Sequence, residues 1–179
     1  NIKNIRVNKF RKDKTFIVVG RLDEEKLCEQ IINTFSKIPE SFNVKLIFLG
    51  DGAQQNYLES LTDQLKQSHR IIFKGAVDDV SDHLINADFY LSASLSEGMS
   101  NALLESMALG VPGVVSNVSG IEEIVTDNKN GFIFEPRDEK IFYEKLIYTI
   151  NCSEKDYNEM SRSASEHILK NFSMDSISK

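Results

Sequence analysis

Two cations and two glutamates are the side chains of this sequence whose types and spacing could do chemistry. Arg21 and Lys26 follow a β-branched run that ends at Gly20, and together they could bind the two phosphates of a diphosphate. Seven residues separate Glu97 from Glu105. Glu105 falls within an apolar helical stretch, where its carboxylate could accept hydrogen bonds from both hydroxyls of a ribose. Glu97, at the mouth of the same helix, could bind sugar hydroxyls.

A predicted helix start between the two glutamates adds an anion site. The apolar positions Leu103, Leu104 and Met107 predict a helix that begins near Ser100. The unpaired N–H groups of a first turn carry about half a positive charge and favour an anion. Gly98 lacks a Cβ, so the backbone there could approach a ligand closely. This chemistry suits a phosphorylated, hydroxyl-rich ligand.

The elements that must position these residues form an alternating pattern. Short apolar runs, most of which end at glycine, predict strands that are covered on both faces. Helical stripes lie between the runs and indicate a Rossmann-like, doubly wound α/β fold: a parallel sheet of about six strands with helices on both faces. Two further helical stretches predict a two-helix C-terminal tail. The runs are 15–19, 44–49, 71–73, 89–91, 113–115 and 131–134.

The candidate residues share a position relative to these strands. Ligands of such sheets bind beyond the carboxyl ends of the strands, near the point where the strand order reverses. Arg21, Lys26 and the loop 92–101 each follow a predicted strand. We therefore expect them to meet at one edge of the sheet.

The composition excludes several classes of protein. The chain has 179 residues, of which 41% are hydrophobic and 27% charged, as in an ordinary folded domain. The net charge of -6 argues against a nucleic-acid partner, because such proteins usually present a basic face. Cys28 and Cys152 have no metal-ligand spacing, and we expect both to be buried apolar side chains. No apolar run approaches the ~18 residues of a membrane span.

Charge divides the chain into two parts. Residues 1–14 carry a net charge of +5, whereas residues 15–179 carry -11. We interpret residues 1–14 as a basic linker remnant and residues 15–179 as the domain. A solvated linker is the ordinary interpretation of such a leader, and contact with an anionic membrane surface is the alternative. The first residue is Asn1, which indicates a piece of a longer chain or a trimmed one.

The stretch from Ser96 to Pro112 resembles the signature of the retaining glycosyltransferases of family 4, which have the GT-B fold. Its core is the glutamate pair described above. Further blocks follow in the family's order, so the resemblance covers residues 15–150, the family's C-terminal, donor-binding domain. These blocks are Gly20-Arg21-Leu22 with Lys26, Gly50-Asp51-Gly52, Phe73-Lys74-Gly75, Gly120-Ile121-Glu122-Glu123 and Asn130-Gly131.

The resemblance implies how a nucleotide-diphosphate sugar would be held. Arg21 and Lys26 would bind the donor diphosphate, with help from the backbone amides of Ser100 and Asn101. Glu105 would bind the ribose. The donor would be a UDP- or GDP-sugar.

The resemblance also implies the sugar and base contacts. Glu97 would be the catalytic residue and would contact the transferred sugar, with Gly98 and Met99 beside it. Backbone near Phe73 and Lys74 would contact the nucleobase. Members of the family need no metal or other cofactor, and this sequence lacks the metal-chelating Asp-x-Asp pattern of the other large glycosyltransferase fold.

We therefore expect a transferase of polysaccharide-biosynthesis type that transfers a sugar with retention. Its acceptor, a saccharide or a lipid-linked one, would bind to an N-terminal half that this chain lacks, so the isolated chain should bind donor with little or no transfer. We expect a cytoplasmic location, or a peripheral one at the inner membrane face for the full-length protein. The alternatives are half of a sugar-nucleotide epimerase or phosphorylase of the same fold, and a non-catalytic nucleotide-binding module. One departure from the family is Leu27, where glycine often follows the lysine.

Overall fold

The computed structural model of the protein describes residues 8–96 and 100–172. In these ranges six parallel strands form one sheet in the order β3-β2-β1-β4-β5-β6. Each strand contains one of the apolar runs, so the doubly wound fold predicted from the sequence is confirmed. The strands are β1 (Lys14–Val19), β2 (Val44–Leu49), β3 (Ile71–Phe73), β4 (Phe89–Ser92), β5 (Gly113–Ser116) and β6 (Gly131–Phe134).

Seven α-helices of the described residues connect the strands or follow them. The last two are the predicted C-terminal pair. Over the same ranges, no helix has both the length and the apolar character needed to cross a bilayer. The helices are α1 (Cys28–Ser36), α2 (Gln55–Gln64), α3 (Ser81–Asn86), α4 (Asn101–Ala108), α5 (Ile121–Ile124), α6 (Glu139–Asn151) and α7 (Glu154–Asn171).

The helices cover both faces of the sheet. Side chains of β1 alternate between the two faces, since Phe16 packs with α1, α2 and α6 whereas Ile17 packs with α3, α4 and α5. Helix α7 contributes to both apolar clusters, and its Ser161 and Ser165 hydroxyls donate hydrogen bonds to carbonyl oxygens at the end of α4 and just beyond it. The contact with α7 holds the C-terminal end of α4, the helix that carries predicted site residues.

A buried ionic cluster lies at the amino ends of β1 and β4. The fully buried Asp88 carboxylate accepts hydrogen bonds from the Thr15 N–H (2.7 Å) and from Arg11 Nη1 (3.3 Å). Lys14 is only 1% exposed, and its ammonium donates to the Arg11 carbonyl oxygen and lies 3.9 Å from the centroid of the Phe10 ring. We call Arg11, Lys14 and Asp88 the amino-end cluster.

The boundary between residues 14 and 15 stays a prediction. Lys14 is the first residue of β1 in the structure. The buried Asn8 donates from its side-chain amide to the Ala87 carbonyl oxygen at 2.6 Å, and the Phe10 and Tyr157 rings meet edge-on, with 6.0 Å between their centroids. Residues 8–14 therefore lie against the domain.

Replacing Lys14 with methionine should change how stability depends on pH. Burial lowers the pKa of the Lys14 ammonium below 10.5, so the unfolded chain binds this proton more readily than the folded protein does. Wild type should therefore gain stability relative to Lys14→Met as pH rises from the lowered folded pKa towards 10.5. Urea unfolding at several pH values measures the difference. The exposed Lys12→Met should show none, and a pH-independent gap for Lys14→Met would contradict the prediction.

Candidate functional site

The carboxyl ends of β1 and β4 lie side by side where the strand order reverses. This is the position at which open α/β sheets bind ligands. The loop after β1 and the loop after β4 both carry predicted site residues. The Leu95 N–H donates to the Glu25 carbonyl oxygen at 2.8 Å, so the two loops are in direct contact.

The loops after β1 and β2 are joined through their backbones. The Leu22 N–H donates to the Asp51 carbonyl oxygen at 2.7 Å, and the Gln54 N–H donates to the Leu22 carbonyl oxygen at 2.9 Å. The Gly20 N–H donates to the Leu49 carbonyl oxygen at 2.9 Å. These bonds fix the backbone on both sides of Arg21. We call this contact the β1–β2 loop junction.

Glycine makes the β1–β2 loop junction possible. A Cβ at Gly50 would lie 2.0 Å from the Gly20 carbonyl oxygen, and a Cβ at Gly52 would lie 2.4 Å from the Leu22 carbonyl oxygen. No side chain fits at such distances, so two chain segments can approach this closely only where the Cβ is missing.

The two predicted cations lie at the end of β1. Arg21 has an 82% exposed side chain, and its Nη2 lies 3.4 Å from Asp23 Oδ2. The Cε atom of Lys26 lies 3.8 Å from the position that a Cβ at Gly20 would take. The structure thus brings both cations to one strand end. Their role towards a diphosphate stays a prediction.

Lys26 lies in a short 3-10 turn that precedes α1. The turn spans Glu24–Lys26, and α1 begins at Cys28. Leu27 separates the two with a left-handed backbone, φ 47. Such a backbone costs roughly 1–2 kcal/mol for a residue with a Cβ and little for glycine. Leu27 is the position at which the family that the sequence resembles often has glycine, and this geometry gives a physical reason.

The start of α4 presents backbone N–H groups at the same edge. Ser100 is the N-cap: its Oγ accepts a hydrogen bond from the Leu103 N–H at 3.3 Å, and its carbonyl oxygen accepts one from the Leu104 N–H at 3.0 Å. The Asn101 N–H precedes these and has no intrahelical acceptor. Glu105, one turn further on, is exposed. The helix therefore starts where the sequence predicted.

The predicted catalytic residue, Glu97, lies outside the described residues. The same holds for the predicted sugar contacts Gly98 and Met99. Their roles stay predictions from the sequence.

A cavity of about 240 Å³ opens beside the cations, at the ends of β1, β2 and β3. Five aliphatic side chains line it, together with glycine backbone, one cation and one carboxylate. This arrangement could hold a flat, partly apolar ring next to a negatively charged group. The lining residues are Val19, Gly20, Arg21, Leu49, Gly50, Asp51, Ala76, Val77 and Val80.

Phe73 and Lys74 lie at the end of β3 but are not among the described residues that line this cavity. The Phe73 ring stacks on Phe48 with 4.9 Å between centroids, and the Lys74 N–H donates to the Phe48 carbonyl oxygen at 3.0 Å. The contact predicted between the backbone near Phe73 and Lys74 and a nucleobase stays a prediction. Ala76 and Val77, to which no contact was assigned from the sequence, do line the cavity.

Clusters of metal-ligating side chains and reactive thiols are the other groups that could do chemistry. Within residues 8–96 and 100–172, no three His, Cys, Asp or Glu side chains are grouped so as to hold a metal ion. Cys28 is buried behind the Lys26 turn, and burial raises the pKa of its thiol to about 12. A thiol with such a pKa is a poor nucleophile at neutral pH.

Known proteins share both the sequence pattern and the fold. A family model described as glycosyl transferases group 1 matches residues 2–167. An uncharacterized glycosyltransferase of Methanocaldococcus jannaschii is 37% identical over 128 residues, which are 70% of this chain and 33% of that protein. The chain thus spans about a third of the length of this curated relative.

Two solved structures share the fold at low sequence identity. The crystal structure of a TarM mutant of S. aureus, in complex with fondaparinux, alpha-GlcNAc-glycerol and UDP, superposes with a TM-score of 0.89 at 22% identity; the match covers 99% of this chain and 36% of that one. The C-terminal domain of a group 1 glycosyl transferase family protein, LpcC of Francisella tularensis, superposes with a TM-score of 0.79 at 20% identity, covering 90% and 87%. These likenesses show a shared Rossmann-like fold.

Proposed function

Because the chain belongs to the group 1 glycosyl transferases, we propose that it is the donor-binding half of a retaining glycosyltransferase of family 4. The observation that carries the proposal is that Arg21 and Lys26 follow β1 and α4 begins after β4, the two neighbouring strands between which the strand order reverses. The proposal that the chain is half of an enzyme is supported by the share of two related proteins that it matches. The chain spans 33% of the M. jannaschii relative, but its match covers 87% of the LpcC C-terminal domain.

The proposed donor is a nucleotide-diphosphate sugar. UDP is the first nucleotide to test, since the TarM structure contains it, and GDP is the second. Arg21, Lys26 and the amides of Ser100 and Asn101 hold the diphosphate, and Glu105 accepts hydrogen bonds from the ribose. The cavity of about 240 Å³ receives the base.

The proposed chemistry is electrostatic on the diphosphate side. As the bond between the sugar and the diphosphate breaks, negative charge grows on the leaving phosphate. Arg21, Lys26 and the N–H groups at the start of α4 stabilise this charge. Glu97 contacts the sugar, which passes to the acceptor with retention. A saccharide or lipid-linked acceptor binds to the other half, so this chain alone binds donor with little or no transfer.

Replacing Glu105 with alanine should weaken UDP binding by about tenfold or more, because a charge-assisted hydrogen bond contributes about 1.5–3 kcal/mol. Calorimetric titration with UDP and with uridine measures the effect. Both ligands contain the ribose, so both affinities should fall. Glu166→Ala, an exposed glutamate on α7, is the matched control and should bind as wild type does.

Arg21→Ala and Lys26→Ala in the same titrations separate the diphosphate from the ribose. These variants should weaken UDP binding and leave uridine binding unchanged. Equal UDP affinity in wild type and Glu105→Ala would reject the ribose role. If wild type bound neither UDP nor GDP, the donor-half proposal itself would be wrong. Product analysis on a full-length protein would distinguish transfer from epimerisation of the nucleotide sugar.

A further inference from the structure

We propose that Asp23 is a positioning residue that holds the Arg21 guanidinium in place for the donor diphosphate. This inference rests on the donor-binding function proposed above. Asp23 Oδ2 lies 3.4 Å from Arg21 Nη2. The two side chains differ in their surroundings, because Arg21 is 82% exposed whereas Asp23 is 27% exposed. The carboxylate is therefore the fixed member of the pair.

The backbone around Asp23 is held from both directions. The preceding residue, Leu22, belongs to the β1–β2 loop junction and bonds to Asp51 and Gln54. The Asp23 carbonyl oxygen accepts a hydrogen bond from the Lys26 N–H at 3.2 Å, which closes the 3-10 turn. The Asp23 side chain thus starts from a rigid support, and the long Arg21 side chain does not.

Local folding does not account for the Asp23 carboxylate. Its Oδ1 atom is buried without a hydrogen-bond partner among the described residues, and the side chain makes no capping hydrogen bond to the following turn. A buried oxygen without a partner destabilises a protein by about 1–3 kcal/mol. A carboxylate beside a proposed phosphate site also adds unfavourable negative charge. The Arg21 guanidinium is a charged partner that this carboxylate does have.

The pairing suits the chemistry of arginine. A free arginine side chain has about 2 kcal/mol of rotamer entropy to lose when it binds a ligand. A guanidinium has five N–H donors, so one of them can point to Asp23 while others remain for phosphate oxygens. A partly ordered Arg21 would lose less entropy on binding, and the donor would bind more tightly.

The positioning role and simple electrostatics predict opposite results for Asp23→Asn. Asparagine keeps the shape of the side chain and removes its charge. If the carboxylate only repelled phosphate, UDP would bind more tightly to the variant. If the carboxylate positions Arg21, UDP should bind about two- to fivefold more weakly, the range expected for an exposed ion pair. Uridine has no phosphate, and its affinity should not change.

The experiment is a double-mutant cycle measured by titration with UDP and with uridine. Its four proteins are wild type, Asp23→Asn, Arg21→Ala and the double variant. The loss caused by Asp23→Asn should vanish in the Arg21→Ala background. Glu24→Gln is the matched control. Glu24 is the residue that follows Asp23, its side chain is exposed, and the substitution removes the same charge. It should leave UDP binding unchanged or slightly tighter. If Asp23→Asn does not fold, Asp23→Glu moves the carboxylate by one methylene and should give the same selective loss.

Each result has one meaning. UDP binding to Asp23→Asn that equals or exceeds wild type would overturn the inference. A parallel loss of UDP and uridine binding, or an equal loss in the Arg21→Ala background, would indicate a structural role and overturn it as well. No UDP binding by wild type, or no effect of Arg21→Ala itself, would refute the proposed function and the inference with it.

Discussion

Replacing Gly50 with alanine is expected to lower the free energy of unfolding by roughly 3 kcal/mol or more and to abolish UDP binding at the proposed diphosphate site. The new Cβ would lie 2.0 Å from the Gly20 carbonyl oxygen, and Gly50 has φ +127, a backbone conformation that L side chains rarely adopt. The atom in the way is backbone and cannot rotate aside. Relief requires movement of the loop that carries Arg21, and the β1–β2 loop junction resists that movement.

A second glycine separates the clash from the backbone strain. Gly120 also has positive φ, +84, but a Cβ there would meet nothing within 4 Å. Gly120→Ala should therefore lose only about 1–2 kcal/mol, the ordinary penalty for a left-handed residue with a Cβ. Urea unfolding and UDP titration of the two variants make the comparison. If Gly50→Ala lost no more stability than Gly120→Ala, the loop junction would not be as rigid as its geometry indicates.

Replacing Asp88 with alanine is expected to lower the free energy of unfolding by about 3 kcal/mol or more, because two hydrogen bonds to a charged and fully buried acceptor are lost. The Thr15 N–H and Arg11 both lose their hydrogen bond to this carboxylate. Since the amino-end cluster lies at the opposite edge of the sheet from the proposed donor site, the folded variant should bind UDP with wild-type affinity.

The measurements for Asp88→Ala are urea unfolding and UDP titration well below the unfolding midpoint. The control is Asp13→Ala, which removes an exposed carboxylate next to Lys14 of the amino-end cluster. Its free energy of unfolding should change by no more than about 0.5 kcal/mol. A change in UDP affinity of folded Asp88→Ala would show that the two edges of the sheet are coupled, contrary to this expectation.

Much of the fold was predictable because single residues mark where its strands end and its helices begin. Each strand is a continuous apolar run, and the chain turns at Gly20, Gly50 and Gly75 with positive φ directly after β1 and β2 and soon after β3. The start of α4 was predictable for a similar reason, since Ser100 both ends the loop and caps the helix. Such signals are local in sequence and need no tertiary contact.

Features that depend on distant partners could not be predicted. Lys14 counted as part of a solvated basic leader, yet it is buried, because the folded chain brings the centroid of the Tyr157 ring of α7 to 5.1 Å from its ammonium. The left-handed backbone of Leu27 has no sequence signal, since leucine seldom adopts it. This backbone is why Lys26 ends a separate turn.

The candidate site was predictable in part. The location of Arg21 and Lys26 at the carboxyl edge of the sheet was predictable because both follow a strand, and parallel strands bring such positions to one edge. Ala76 and Val77, which line the cavity, were predictable for the same reason, because they come soon after the end of β3. Asp23 lies only two residues from Arg21, but in a run of acidic residues nothing in the sequence distinguishes it.

The β1–β2 loop junction also has a consequence for protein engineering. Residues 20–22 and residues 50–54 meet through their backbones, so each loop is shaped against the other. If one of these loops were replaced by the loop of a homologue, its backbone would not fit against the other loop, which keeps its own shape. Both loops should therefore be exchanged together when the proposed nucleotide preference is transferred between homologues. Chimaeras in which only one loop is exchanged should fold poorly.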